Sequence, residues 1–548
     1  MATIPSVNTS NALLTPEIVY MVIEHVQVAS DLLSCACVNS MWSLPALKKL
    51  YRGSLVERQL RTPLIESLDR LLAASRTRFA TNTSNIRHLL LSCEYYETPE
   101  EIPTGSNWQA VFEECRVICR RKRLASLVIP HEIKHQDFPP ISDLLCPTIS
   151  FLAIHYPYCQ QLVQTESINS AQDKYHHLKA LNIYKSDLNG DVNALCRLLQ
   201  FCNLELFLFQ SRQSPYDDPF DPTELSKKLL SVLRQHQDLT ALALLLPVSG
   251  ISLIPQKANP WPKLKALSLL ELDEFWQEKL PFFEGLEILD IRHIAPLFLD
   301  GDTFKPLFEN IAQCKHLRSI ELVFHELDDV DDLLILAGGC PLLQRLDIRF
   351  VFCELVEFEM PVYVLLCLAL CLPRLEILHL DFAIGLSTDS FRLLGQFCPR
   401  LIMLALPSAV LYLCHEHMAK FAPFQHLEAM FFNKIAFEKL EGHHSEAESI
   451  AIEWRRIFPR LQALSYSSET NPFHPNRCVD HSLIYDPFLP LVWERLWKIL
   501  GYKKDRYIHR NIRQLWQTNL EIELIGWPVM TLDNFSNETW ANPRLYTA

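Results

Sequence analysis

The sequence lacks most of the features that mark an enzyme, a membrane protein or a secreted protein. It contains no Gly-rich phosphate-binding motif, no His-Glu-x-x-His motif and no Gly-x-Ser-x-Gly motif. Its first residues, MATIPSVNTS, lack the basic region and the apolar run of a secretory signal. The longest apolar run, 362–372, is shorter than the about 20 residues that span a bilayer. We therefore expect no membrane association, no cofactor and no metal site.

Glycine is also scarce, at 13 of 548 residues, and the 17 cysteines lack the close, regular spacing of a disulfide framework. Cys314, Cys340, Cys371 and Cys398 each end an apolar helical stretch. We expect such thiols to be reduced and buried, which favours a reducing compartment, the cytoplasm or the nucleus. The net charge of -13 argues against nucleic acid as the main partner.

What the sequence does contain is a six-residue phrase with apolar residues at its first, fourth and sixth positions. The fourth and sixth residues are two apart, so in a strand they point to one face. One such strand cannot bury its apolar side alone, whereas stacked neighbours form a continuous core along a parallel sheet. Fourteen phrases begin at Ile86, Leu124, Ile149, Leu178, Leu204, Leu239, Leu264, Leu286, Leu317, Leu343, Leu375, Leu401, Leu427 and Leu461.

Helical stretches lie between the phrases, and several of them end at a proline. Residues 223–237 carry leucines at spacings of three and four, which predicts an amphipathic helix. Pro341 and Pro399 each stand two residues before the next phrase, where they would end the preceding helix because proline cannot continue one. The alternation resembles the leucine-rich-repeat proteins. It implies an α/β solenoid of about 14 repeats over residues 85–470, with parallel strands on the concave face and helices on the convex face.

Residues 13–52 do not fit the repeat. They hold a series of marked residues, Leu14, Pro16, Glu17, Ile18, Asp31, Leu32, Leu33, Val38 and Trp42. This series resembles an F-box, with two departures: Thr15 replaces a proline of the usual opening, and Asn39-Ser40 replaces a cysteine followed by a basic residue. The resemblance implies a small all-α domain of three helices, and the sequence predicts the third from Pro45 to Tyr51.

In this order, the two patterns resemble the F-box/leucine-rich-repeat proteins, notably the fungal ones. The resemblance implies a substrate-recognition subunit of an SCF-type cullin-RING ubiquitin ligase, which binds a Skp-type adaptor and, through it, a cullin. The repeats would bind an unknown protein substrate, and other subunits would transfer ubiquitin. The alternatives are an interaction scaffold without a ligase role and, less favoured, an enzyme. Adaptor contacts or their supporting core would come from Leu14, Pro16, Glu17, Ile18, Val22, Val26, Leu32, Leu33, Val38 and Trp42.

A candidate substrate surface follows from the phrase position just before the last apolar residue, which points away from the core. Asp290, Glu321 and Asp347 occupy it in successive repeats and should form a column. Like charges on neighbouring strands repel, so arginines of the chain or a basic or polar segment of a substrate should offset them. The alternative is that these positions are polar because they face water. The candidate residues are Asp290, Arg292, Glu321, Arg345, Asp347, Arg349 and His379.

The C-terminal segment no longer carries the phrase but is rich in tryptophan. It holds Trp493, Trp497, Trp516 and Trp527, which predicts an aromatic cap on the last repeat or, alternatively, a substrate pocket. The predicted organisation is a flexible N-terminus at 1–12, the F-box at 13–52, a helical connector at 53–84, the solenoid at 85–470 and the cap at 471–548.

Overall fold

The structure is a computed structural model that describes most of the repeat region and both flanking helical segments. The predictions for 1–12, Leu14, Trp493 and Trp497 lie outside the described residues. No helix among the described residues is long and apolar enough to cross a membrane. The described residues are 15–26, 29–53, 76–91, 108–120, 123–130, 133, 138–164, 175–185, 192–211, 222–245, 259–294, 304–327, 329–351, 359–438, 444–466 and 506–528.

The chain divides into two compact units. Unit 1 comprises residues 1–221, 228–238 and 527–548, and unit 2 comprises residues 222–227 and 239–526. Unit 1 opens with three helices, α1 (Pro16–His25), α2 (Ala29–Ala36) and α3 (Ser40–Arg52).

The three helices share a small core of Val19, Ile23, Leu32 and Ala46. Helix α3 begins earlier than the predicted Pro45 because the Asn39 side chain caps it, accepting hydrogen bonds from the backbone N–H groups of residues 41 and 42 at 2.9 and 3.2 Å. The residue that departs from the F-box pattern therefore starts this helix.

The rest of unit 1 alternates helices and strands, and α9 spans the division between the units. Strands β1 to β5 pair in parallel, each with the next along the chain. The elements are α4 (Arg76–Thr83), β1 (His88–Leu90), α5 (Trp108–Arg120), β2 (Ser126–Ile129), α6 (Ile141–Leu144), β3 (Phe151–His155), α7 (Pro157–Gln164), β4 (Ala180–Lys185), α8 (Val192–Phe201), β5 (Leu206–Ser211) and α9 (Pro222–Leu233).

Unit 2 continues the same alternation, and its strands pair in parallel, each with the next along the chain, except that β11 pairs with β13. Within the described part of the chain, β12 pairs with β13 alone. The elements are β6 (Ala241–Leu245), β7 (Ala266–Leu269), α10 (Glu274–Lys279), β8 (Ile288–Ile294), α11 (Lys305–Ile311), β9 (Ser319–Phe324), α12 (Leu333–Gly339), β10 (Arg345–Phe350), α13 (Val362–Cys371), β11 (Ile377–Leu380), β12 (Gly385–Leu386), α14 (Thr388–Phe397), β13 (Met403–Cys414), α15 (His415–Met418), β14 (Ala429–Glu438), α16 (His444–Ile457), β15 (Ala463–Tyr466) and α17 (Arg506–Ile525).

Each of the fourteen phrases forms one strand, which begins at the third residue of the phrase. The phrase at Leu343 shows why a strand forms here. Its three apolar residues, Leu343, Leu346 and Ile348, are all buried, and its strand β10 pairs with a neighbouring strand on each side. The predicted fold class is thus confirmed: parallel strands alternating with helices, preceded by three small helices. The assignment of concave and convex faces stays a prediction.

Successive phrases also pair in register, so that equal phrase positions stack on one another. Leu346 is opposite Leu378, and Asp347 is opposite both Glu321 and His379. The outward-pointing residues of unit 2 therefore form continuous columns across the strands.

The cysteines at helix ends take a repeated structural role. The thiols of Cys314, Cys340 and Cys398 each donate to a backbone carbonyl one repeat earlier, at 3.3, 3.6 and 3.6 Å. Burial raises the pKa of each of these thiols to about 12. Cys371, expected to be buried like them, is exposed, as is Cys367 on the same helix.

We expect alkylation of the native protein at neutral pH to separate these two groups of cysteines. Cys37, Cys367 and Cys371 are exposed and should react first, whereas Cys340 and Cys398 should stay unmodified until the chain unfolds, because only the thiolate reacts. Mass spectrometry of peptides after a short iodoacetamide pulse measures this. Early modification of Cys340 in the folded protein would contradict the helix-end arrangement.

Candidate functional site

The N-terminal helices leave an unusual amount of apolar surface in contact with water. Among the described residues, eleven large apolar side chains are exposed, and six of them belong to the stretch 20–44. Met21 is 59% exposed, Leu33 is 52% exposed and Val38 is 62% exposed. Three short helices bury only a small core, so these side chains have no interior position available. The six are Tyr20, Met21, Val22, Leu33, Val38 and Leu44.

The structure separates the predicted adaptor residues into surface and core. Leu32 is buried and supports the core rather than a contact surface. Tyr20, Met21 and Leu44 are not among the predicted adaptor residues, although Met21 follows from the helical period once Val19 and Ile23 are taken as the inner face. Leu14 lies outside the described residues; Pro16, Glu17, Val22, Leu33 and Val38 are exposed, and Ile18, Val26 and Trp42 are half-buried.

The second candidate surface is the acidic column of unit 2. The register brings Asp290 opposite Glu321, and Glu321 opposite Asp347, as the sequence predicts. The expectation that this column faces water is wrong, because Asp290 is only 6% exposed, Asp347 is fully buried and His379 is 8% exposed. These residues form a covered charge network.

Arginines of the chain itself offset the acidic column. Arg345, which is almost fully buried, pairs with Glu321 and donates to Asp347 Oδ2 at 2.9 Å. Arg349 also pairs with Glu321, and its Nε donates to Asp347 Oδ1 at 2.8 Å. At the edge of the network, Asp290 Oδ2 accepts from the Ser268 hydroxyl at 2.7 Å and from Arg292 Nε at 3.3 Å.

The three carboxylates differ in how well they are compensated. Burial tends to raise the pKa of Asp347, but Arg349, His379 and Arg513 outweigh it and hold that pKa well below its usual range. Burial opposes ionisation of Glu321 too, yet the neighbouring arginines lower its pKa to about 2. For Asp290, burial prevails and raises the pKa, with a further contribution from Glu321.

Helix α17 contacts this network at Asp347. Arg513 Nη1 lies 3.2 Å from Asp347 Oδ2, Trp516 Nε1 donates to Glu376 Oε2 at 2.9 Å, and Glu523 lies 3.3 Å from Arg318. Helix α17 contacts the last strand, β15, as the predicted cap would, but it also covers β13 and β14 and reaches the network residues on β10.

The apolar part of this cover is a second cluster on the outward face of the late strands. Ile512 and Trp516 pack against it. This cover was not predicted, although the sequence carries a signal for it: outward positions that should be polar are apolar or small in the last repeats. They are Ile377, Met403, Ala405, Ala429, Phe431 and Ala463.

The described residues contain no group of three or more His, Cys, Asp or Glu side chains placed to hold a metal ion. The rings of His293 and His325 are in close contact, and burial lowers the pKa of His293 to about 4. These two rings form a polar pair between β8, which carries His293, and the residue that follows β9.

No protein-family model matches the chain, and no curated protein matches it. Among solved structures, the TLR13–ssRNA13 complex aligns with 17% identity and a TM-score of 0.31. The alignment covers 59% of this chain and 41% of that chain, so this chain spans less than half of its length. An internalin, inlF, from Listeria monocytogenes aligns with 13% identity and a TM-score of 0.31 over 67% of this chain and 84% of that chain. The leucine-rich-repeat-containing protein LegL7 from Legionella pneumophila aligns with 12% identity and a TM-score of 0.25, covering 62% and 97% of the two chains. The fold assignment rests on the strand order and register described above.

Proposed function

We propose that this chain is the substrate-recognition subunit of an SCF-type cullin-RING ubiquitin ligase. Its N-terminal helices would bind a Skp-type adaptor, which attaches a cullin, and its repeats would bind the target protein. The chain itself would be non-catalytic. The observation that carries the proposal is the concentration of exposed apolar side chains on the segment that resembles an F-box.

Apolar side chains exposed in such number on one small helical segment favour a protein partner. Exposed apolar surface costs free energy in water, and buried apolar anchors dominate most protein interfaces. Leu33 and Val38 match the F-box pattern and are exposed, so both are available for contact. Leu32 matches the same pattern but is buried, which assigns it to the support of that surface.

The second candidate function is an interaction scaffold whose N-terminal helices bind another partner. The departure at Asn39 and Ser40 favours it, because the basic residue customary in an F-box is missing there. In this case the same exposed apolar side chains would serve a different protein, and the adaptor would not co-purify.

Replacing Leu33 and Val38 together with glutamate is expected to abolish adaptor binding while leaving the fold intact. Burial of each side chain contributes about 1.5–3 kcal/mol, so the pair corresponds to a loss of more than about a hundredfold in affinity. Both are exposed in the free chain, so the midpoint of thermal unfolding should barely change. Co-purification and titration with the Skp-type adaptor measure the effect.

The matched control is Lys48→Glu, which adds negative charge at an exposed position of α3 without removing apolar surface. It should bind the adaptor nearly as well as the unmodified chain. Unchanged binding by the Leu33/Val38 variant would contradict the adaptor assignment, and a chain that never binds the adaptor would favour the scaffold.

A further inference from the structure

We infer that α17 is a displaceable internal ligand of the outward strand face of unit 2, and that this face accepts an amphipathic helix of similar chemistry from a partner. That helix would carry a basic residue, an aromatic N–H donor three residues later and an acid seven residues after the donor. The inference rests on the proposed function only in taking this partner to be the target protein.

The spacing of the contacts on α17 matches the spacing of the strands beneath it. Glu376 and Arg318 precede β11 and β9, two strand spacings of about 4.8 Å apart. Trp516 and Glu523, which contact them, are seven residues apart, or about 10 Å along a helix at about 1.5 Å per residue. A helix across the strands thus meets both positions.

The polar row that α17 contacts runs across the starts of strands β9, β10 and β11 without a break. Arg318 Nε donates to Gln344 Oε1 at 3.0 Å, and Gln344 Nε2 donates to Glu376 Oε1 at 3.4 Å. The two ends of this row present an acceptor, Glu376, and a cation, Arg318, to whatever helix lies above. A helix that lies above this row therefore needs an N–H donor at Glu376 and an acidic side chain at Arg318.

The cation of α17 is poorly accommodated where it lies. Asp347 already accepts hydrogen bonds from Arg345 and Arg349, and Arg513 enters as a third arginine. Its Nε is buried without a hydrogen-bond partner. Burial and the nearby Arg349 lower the pKa of Arg513 to about 10, so its charged form is less stable there than in water. A partner helix that places its own cation at Asp347 would replace this contact with one of the same kind.

The apolar contacts of α17 differ along its length. From Ile512 to Asn519 none of its side chains is fully buried, and Leu515 is 63% exposed, whereas Leu520 and Ile525 are buried. Beneath it lie small residues, Ala405, Ala429 and Ala463, which leave room for the Trp516 ring. The strand face is therefore shaped to take a large aromatic side chain, whether from this chain or from another.

The test is binding of a fluorescent peptide with the sequence of residues 506–525 to the full chain. In the unmodified chain α17 competes at an effective concentration of roughly millimolar, so the peptide should bind weakly. The full chain carrying Arg513→Ala and Trp516→Ala should bind it more than about tenfold more tightly. Equal affinity for the two chains, or no binding to the folded variant, would overturn the inference.

Two matched peptides test the stated chemistry. A peptide with Trp516→Ala should lose at least about tenfold in affinity for the variant chain, whereas one with Leu515→Ala should bind as the parent peptide does. If both changes weaken binding equally, the contact is not the one that α17 makes. No adaptor is present in this assay, so its outcome is independent of the outcome for Leu33 and Val38.

Hydrogen exchange on the unmodified chain keeps the inference testable if the variant does not fold. Backbone amides of residues 512–525 should exchange at least about a hundredfold faster than those of strands β9 to β11, because α17 opens without unfolding the repeats. Equal protection of helix and strands would make α17 a fixed part of the core and would overturn the inference.

Discussion

Replacing Asp347 with asparagine is expected to destabilise unit 2 by about 3–5 kcal/mol, the usual cost of removing one member of a buried ion pair. The change preserves shape but leaves Arg345 and Arg349 with Glu321 as their remaining carboxylate partner in the network. Both oxygens of Asp347 accept charge-assisted hydrogen bonds, and one amide group cannot accept at both positions. The midpoint of urea unfolding at pH 7 measures the loss.

The matched control is Asp290→Asn, in the same column and two strands away. Burial raises the pKa of Asp290, so its charge is unfavourable in the folded chain and removing it should cost little or should stabilise. The amide oxygen can still accept the hydrogen bond that the Ser268 hydroxyl donates at 2.7 Å. Equal destabilisation by the two substitutions would contradict the expected difference in compensation between Asp347 and Asp290.

The dependence on pH has a defined direction. The folded-state pKa values of Asp347 and Glu321 lie below those of the unfolded chain, about 3.9 and 4.3, and that of Glu321 is about 2. Their stabilisation is therefore complete above about pH 4.5 and is lost as the pH falls towards 2. Asp290 acts in the opposite sense, because protonation relieves its unfavourable charge. The loss of stability in acid should be less steep for Asp347→Asn than for the unmodified chain.

The repeats could be predicted from the sequence because their cause is local. Each strand needs only a short alternation of apolar and polar residues, and its neighbour carries the same alternation one repeat away. The parallel register follows, since a slip of one residue would turn Leu346 and Ile348 out of the core. The column of Asp290, Glu321 and Asp347 was accessible to the same reasoning.

The cover on that column could not be predicted in the same way. Arg513 and Asp347 are 166 residues apart, and no local pattern pairs them. The available signal was indirect: apolar residues such as Met403 and Ala429 stand at outward positions and require a covering element. A pattern can show that a face must be covered, whereas the identity of the covering segment depends on the fold of the whole unit.

The N-terminal helices show a similar division between local and non-local causes. Asn39 is of a residue type that caps helices, and α3 begins directly after it at Ser40, five residues before the predicted start at Pro45. Which matching residues lie inside, such as Leu32, and which lie outside, such as Leu33, depends on how three helices pack.

Replacing Gly339 with alanine is expected to destabilise unit 2 by about 1–3 kcal/mol, the usual cost of overpacking a filled core. Gly339 ends α12, and an added Cβ would overlap the Cβ of Ala312, which follows α11 in the preceding repeat. The overlap involves Ala312 backbone atoms as well, so no flexible side chain can move aside. The two helices would have to separate, and the midpoint of urea unfolding would fall.

The neighbouring glycine provides the matched control. Gly338 lies on the same helix, is exposed, and a Cβ added there would meet no atom within 4 Å. Gly338→Ala should therefore stabilise the chain by about 0.5–1 kcal/mol, because alanine loses less backbone freedom than glycine on entering a helix. Two adjacent and identical residues should thus respond in opposite directions. Adding Ala312→Gly to Gly339→Ala should recover only part of the lost stability, because the Ala312 backbone atoms stay in place. A Gly339→Ala variant as stable as the unmodified chain would mean that the helices do not meet at this point.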